Sequence, residues 1–313
     1  LCSGEELGIT DADYEGASAD GILIIKEGEA PGTDIKKVLG LDEYVLDVSV
    51  TANRPDCQSV YGIAREVAAL LDKPLKPLDL HFEEDKGDSI EKHIDVEVLA
   101  PDLCPRYMAK YVKDIEIFES PSWMKRRLAL CGLRPINAIV DITNYVLLEV
   151  GQPMHAFDYR FLEGSKIIVR RANPGEKITT LNEKENALND EMLVICDAKK
   201  PVALAGIMGG KNSGIREDTR DIVFEAAKFA RDSIRRTSRK LSIQSDSSAR
   251  FEKGVDAALC ETAMNRALAL VYQLKCGKII SGIKGICAEK MARKVITVEK
   301  EKIDKLLGIC IEK

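Results

Sequence analysis

The sequence predicts a multidomain α+β chain, on three observations. Two-residue alternation of the kind strands show recurs at 44–50, 94–99, 166–171 and 221–226. Helical periodicity separates those runs, most clearly at 59–72, 136–150 and 257–275. The 313 residues suffice for about two or three domains with a sizeable core.

The elements follow in chain order. Residues 1–43 are short apolar pieces broken by Gly, Asp and Pro, which read as strands and turns too small for a core of their own. Residues 44–50, Tyr-Val-Leu-Asp-Val-Ser-Val, suit a half-buried strand. A polar turn at 53–57 leads into a helix near 59–72, ended by Pro74 and Pro77. The charged run 83–92 reads as a linker and the best domain boundary. A strand follows at Ile94–Leu99. Ser120 before Pro121 signals a helix start, and Gly132 its stop. A second helix carries Ile136, Ile139, Val140, Thr143, Val146, Leu147 and Val150 and ends at Gly151. Strands at 166–171 and 221–226 precede a basic helix near 229–241. Another helix, 257–275, is capped by Asp256. From about 290 a new unit opens, and the helical pattern Ile303–Ile311 at the end, with the absence of an initiating Met, points to a piece of a longer polypeptide.

Composition narrows the function. Hydrophobic residues make 45% and charged residues 31%, as in soluble globular proteins. The net charge of −5 argues against non-specific coating of nucleic acid, yet leaves room for a local basic face. The nine cysteines form no Cys-x-x-Cys pair, and their odd number and wide spacing suit reduced thiols in the cytoplasm. No metal site is expected, because zinc needs clustered ligands. The most apolar short run, Gly21–Ile25, is far too short to span a bilayer, so no membrane partner is expected.

The stretch Asp141–Asp158 is the most informative. It sets Thr143, Asn144 and His155 in an otherwise apolar helix and turn, and buried polar groups destabilise unless they are bonded. Asp158, three residues on, is placed to hold the imidazole. Ala205–Gly210, followed by Lys211, fails as a phosphate loop at Ala205 and at Asn212, leaving a tight turn or close approach of substrate to backbone near Gly206. Glu225 alternates onto one strand face with Val223 and Ala227. On the residues alone it is either a solvated edge carboxylate or a functional acid. Ser245, Ser247 and Ser248 offer hydroxyls but no nucleophile elbow. Arg231, Arg235, Arg236, Arg239 and Lys240 form either a solvated helix face or a phosphate contact, with no interleaved aromatics for base stacking.

Several ordered segments together resemble the β subunits of bacterial phenylalanine–tRNA ligases. They are Leu1–Gly8, Val48–Cys57 (Val-Ser-Val-Thr-Ala-Asn-Arg-Pro-Asp-Cys), Gly62–Ala68, Cys104–Tyr107, Asp141–Asp158, Val202–Gly210 and Arg250–Gly254. The resemblance implies that 1–43 is the remnant of an OB-type tRNA-binding domain and 44–85 part of a small domain. It implies that 86–288 is an editing module, a mixed α+β unit with its own sheets and packed helices, and that 289–313 starts the next domain. Such a module hydrolyses tyrosine wrongly attached to phenylalanine tRNA. The family's full heterotetramer, formed with an α subunit, uses ATP and magnesium for aminoacylation; the resemblance implies no cofactor for this piece. It casts Glu225 as the reader of the phenol, and Asn144 and His155 as the groups beside the reacting ester. Thr143 and Gly206 fall at pocket-lining positions and Ser247 beside the substrate. Ala249 stands where the family often has histidine, and Ala52 where proline is common. The competing expectation is a non-catalytic tRNA-binding scaffold with an inactive pocket.

Overall fold

The structure, a computed structural model, describes residues 2–10, 14, 16–17, 21–25, 30–288 and 295–312. The amino-terminal part contributes the α-helices α1 (Ile35–Leu39) and α2 (Val60–Leu70). Its small core gathers Ile9, Ala17, Leu23 and Leu39. Among the described residues of 1–43 no strand forms, against the sequence expectation. Residues 44–50 are likewise not a strand. Tyr44 is 95% and Leu46 82% exposed. Alternation stabilises a strand only when a neighbour takes its backbone groups, and no described residue pairs with this segment.

The charged run read as a linker is instead an edge strand, β1 (Asp85–Ser89). Charge suits such a position because an edge faces water. Its polar side chains are also engaged. Glu84 pairs with the fully buried Lys110, and Asp88 takes His93 Nε2 at 2.8 Å and Lys113 Nζ at 3.0 Å.

Beyond it come β2 (Asp95–Val98) and β3 (Arg106–Lys113), then the helices α3 (Ser122–Leu130) and α4 (Ala138–Val150). Ser120 does not cap α3. Pro121 takes the cap position, and the Ser120 hydroxyl donates to buried Asp141 at 2.6 Å. The ends of α4 behave as the sequence indicates. Asn137 accepts from the Val140 N–H, and Gly151 adopts the left-handed conformation at φ 89°. Ile136 falls outside that helix and is 64% exposed.

The chain then runs through β4 (Met154–Asp158), β5 (Lys166–Arg171), β6 (Lys177–Thr179), β7 (Glu185–Ala187), β8 (Leu193–Cys196), β9 (Pro201–Leu204), β10 (Met208–Gly209) and β11 (Ile222–Lys228). The basic helix α5 (Arg231–Leu241), α6 (Asp246–Lys253) and α7 (Leu259–Leu274) follow, then β12 (Lys278–Ser281), β13 (Lys284–Cys287) and α8 (Lys300–Leu307). Asp256 lies outside the α7 cap and accepts from the Ala258 N–H at 2.9 Å. The expected start of a new unit near 290 falls at 289–294, outside the described residues.

Two sheets face each other. One has the order β1-β12-β3-β11-β4, with β13 also on β3; the other is β10-β9-β8-β5-β2. Strand alternation divides β11 between two cores. Ile222, Phe224 and Ala226 point to the layer of α4 and α7, while Val223 and Ala227 point to the second sheet. The sandwich opens beside β4 and β10, each at the end of its sheet order.

Candidate functional site

A cavity of about 280 Å³ lies at that opening. The first sheet supplies Met154, His155 and Glu225; the second supplies Ile195, Ala203, Leu204, Met208 and Gly209. The remaining wall includes Asn144 and Leu147 of α4 and Ser245, Asp246, Ser247 and Phe251 around α6.

Glu225 sits on β11 between β3 and β4, so it is an interior position of the sheet rather than an edge. It is only 6% exposed, which overturns the solvated reading. Its register partner on β4 is His155. Directly opposed residues of neighbouring antiparallel strands point to the same face with Cβ atoms about 5 Å apart. The fold thus seats an acid and an imidazole side by side from positions seventy apart in the chain. Within the protein, Glu225 Oε2 and His155 Nε2 are both buried without a hydrogen-bond partner. Orphaned buried polar atoms are uncommon and call for an explanation.

Burial pushes the Glu225 carboxyl up to about 8, against an ordinary 4.5, with the neighbouring Tyr107 hydroxyl pulling the other way. Burial lowers His155 from 6.5 to about 4. At neutral pH both groups are therefore uncharged. A neutral carboxylic acid offers one donor and a carbonyl acceptor, and a neutral imidazole one of each.

The imidazole is held by packing. Its ring meets Phe157 edge-on at 4.4 Å, and a Cβ built on Gly209 would come within 2.7 Å of His155 Cε1. Asp158 does not hold it. That side chain projects to the opposite face, where it accepts from Thr219 Oγ1 and Arg160 Nη2, each at 2.7 Å.

The other expected residues distribute unevenly. Asn144 lines the cavity. Thr143 does not; its hydroxyl turns back to the Val140 carbonyl at 2.7 Å. Gly206 lines it and has φ +67°, but a Cβ there would meet Phe229 at 2.7 Å and Ile234 at 2.9 Å, so the glycine serves turn geometry and core packing. Ser247 lines it with its hydroxyl on the Gly206 carbonyl at 3.0 Å. Ser245 and Ser248 donate to the carbonyls of Ile207 and Ser245. Ser245 and Ser247 thus pin α6 to the 205–210 turn while Ser248 closes the helix's own cap, and no nucleophile–imidazole pair forms among the three.

Sequence reasoning missed Gly209, Phe229 and Phe251. The Gly209-Gly210 pair was a usable signal, whereas the two phenylalanines look like any core aromatics. Among the described residues one group, Asp56, Cys57 and Glu66, brings possible metal-ligand atoms together. Arg54 already bridges its carboxylates at 2.8 and 2.6 Å. No helix among the described residues is long and apolar enough to cross a membrane.

The B3/4 domain model matches residues 103–304. The chain is 46% identical over 313 residues to the phenylalanine–tRNA ligase beta subunit of Clostridium acetobutylicum, covering all of this chain and 39% of that protein. It is 48% identical over 282 residues to the corresponding subunit of Syntrophus aciditrophicus (90% of this chain, 34% of that protein). Against the Moorella thermoacetica subunit it is 45% identical over 309 residues (98% and 38%). A solved N-terminal fragment of the phenylalanyl-tRNA synthetase beta-subunit from Pyrococcus horikoshii aligns over 84% of this chain and 72% of that one. The two share 17% identity at a TM-score of 0.40.

Proposed function

Starting from the fact that the chain belongs to the B3/4-domain family and is a relative of bacterial phenylalanine–tRNA ligase beta subunits, we propose that its cavity hydrolyses tyrosine misattached to phenylalanine tRNA. The observation that carries this reading is the in-register pair of Glu225 and His155, each with an orphaned polar atom, at the wall of a partly open cavity lined by both polar and apolar groups.

The physical need is plain. A pocket shaped for a phenyl ring rejects an added hydroxyl by only about 10²-fold, so a second site must favour the hydroxyl. Glu225 does so through its oxygens, one of which accepts the phenol proton. A phenyl ring leaves that buried group desolvated and unpaired, a penalty of about 1–3 kcal/mol. Neutral at pH 7, Glu225 also avoids burying a charge when the pocket is unliganded.

His155 and Asn144 orient the ester and an attacking water. With its basicity lowered by burial, His155 acts chiefly by hydrogen bonding and position, and proximity supplies much of the rate. The serine hydroxyls are committed to backbone carbonyls, so the reading has no covalent intermediate. The whole enzyme attaches phenylalanine to its tRNA with ATP and magnesium and pairs this subunit with an α subunit.

The test is deacylation of tyrosyl- and phenylalanyl-tRNA by the intact ligase carrying Glu225→Ala. The expected result is loss of the preference for tyrosine. An unchanged preference removes Glu225 from recognition, and full-rate hydrolysis by His155→Ala removes the imidazole from the mechanism.

A further inference from the structure

We infer that the exposed face of α5 is the surface that holds the phosphate backbone of the RNA whose acylated end enters the cavity; the inference rests on the function proposed above. Arg235, Arg236, Arg239 and Lys240 are all exposed. Among the described residues none of the four side chains has a carboxylate or hydrogen-bond partner. Many cations elsewhere are engaged; Arg54, Arg160, Arg170, Arg171 and Arg266 each hold a carboxylate. The chain has 51 acidic and 46 basic residues. In such a protein four adjacent cations left without a partner are a local departure that self-repulsion disfavours, unless an outside anion answers it.

Helix geometry makes these residues one surface. Arg231, Arg235 and Arg239 lie in a row at four-residue steps of about 6 Å, and Arg236 and Lys240 form the adjoining row. The opposite side, Ser233, Ile234, Thr237 and Ser238, is buried and fixes the helix in place. Nearby acids do little to neutralise the face. Asp232 is the one carboxylate on α5, Asp246 of α6 is taken by Arg250, and Arg231 donates to the Glu252 carbonyl.

Position supplies the second argument. Phe229, two residues before α5, lines the cavity, and so do Ser245 to Ser247 just after it. Both ends of the basic helix therefore feed the site wall. Arginine and lysine cations both neutralise phosphates, and contacts of this kind set register without reading sequence. The exposed row carries no aromatic side chain, so stacked bases are not its ligand.

The test uses the intact ligase carrying R235Q/R236Q/R239Q/K240Q, with tyrosyl-tRNA deacylation measured across a salt series. The expected result is a fall in kcat/KM of about tenfold or more at low salt, carried by KM with kcat kept. The slope of log(kcat/KM) against log[salt] shrinks by about 0.7 for each phosphate contact removed. The charge-preserving variant R235K/R236K/R239K keeps wild-type KM and slope. A Gln variant with wild-type KM and slope overturns the inference, as for a face that serves an acidic protein instead. Equal loss in the Gln and Lys variants overturns it too, because charge is then not what matters. In both cases a wild-type enzyme that deacylates tyrosyl-tRNA leaves the proposed function standing. A wild-type enzyme that leaves tyrosyl-tRNA intact sinks that function and this inference with it.

Discussion

Glu225 on β11 and His155 on β4 are register partners on the same face of one sheet, and both are uncharged near neutral pH for the same reason, burial. Their effects on stability oppose each other. Glu225 holds its proton longer in the folded state, so between 4.5 and about 8 its contribution falls as pH rises. His155 refuses its proton longer when folded, so between 6.5 and about 4 its contribution falls as pH drops.

From about 4.5 to 6.5 the two slopes cancel, and from about 6.5 to 8 Glu225 acts alone. The wild-type protein should lose stability relative to Glu225→Gln as pH rises through that upper window, by about 1.4 kcal/mol per pH unit. Denaturant unfolding of both proteins at pH 6.5, 7.2 and 8 checks this; parallel stability curves would show an ordinary carboxylate.

Gly209 gives the imidazole its room. A methyl group at that position would stand 2.7 Å from His155 Cε1 and 3.1 Å from Nε2. Gly209→Ala should therefore lower tyrosyl-tRNA deacylation by about 10²-fold for a displacement near 1 Å. Its backbone does not have a positive φ, so stability should change by under about 1 kcal/mol. Deacylation kinetics beside a thermal melt separate the two effects.

Gly206 presents the contrary case. Its φ of +67° and the contacts awaiting a Cβ at Phe229, Ile234 and Phe251 predict a folding defect. Gly206→Ala should destabilise by about 1–3 kcal/mol through strain and overpacking. A denaturation midpoint equal to that of wild type would contradict the geometry.

Lys110 tests whether the charged run before β2 belongs to the sheet. Its side chain is wholly enclosed, with Nζ on Glu84 and on the Gly282 carbonyl at 2.8 Å. Glu84→Ala should destabilise by about 1–3 kcal/mol, because a buried ammonium loses its counter-charge. Glu84 is itself a third exposed, which argues for the lower half of that range. A true linker would tolerate the change without effect on unfolding.

Helix ends and strand alternation within the central block were legible in the sequence, as were the chemical types of the candidate site residues. Asn137 and Gly151 mark the ends of α4, and the alternation in β11 divides its side chains between two faces, because capping and strand pleat depend on residues a few positions apart. The resemblance singled out His155, within Asp141–Asp158, and separately Glu225, at the position of the family's phenol-reading glutamate. Tertiary packing makes Glu225 interior, turns Asp158 to Arg160 and Thr219, pairs residues 85–89 as an edge strand and leaves 44–50 without a strand partner among the described residues. Those outcomes rest on which strands become neighbours and in what register. That choice is made by packing across the whole sandwich, and no window of consecutive residues contains it.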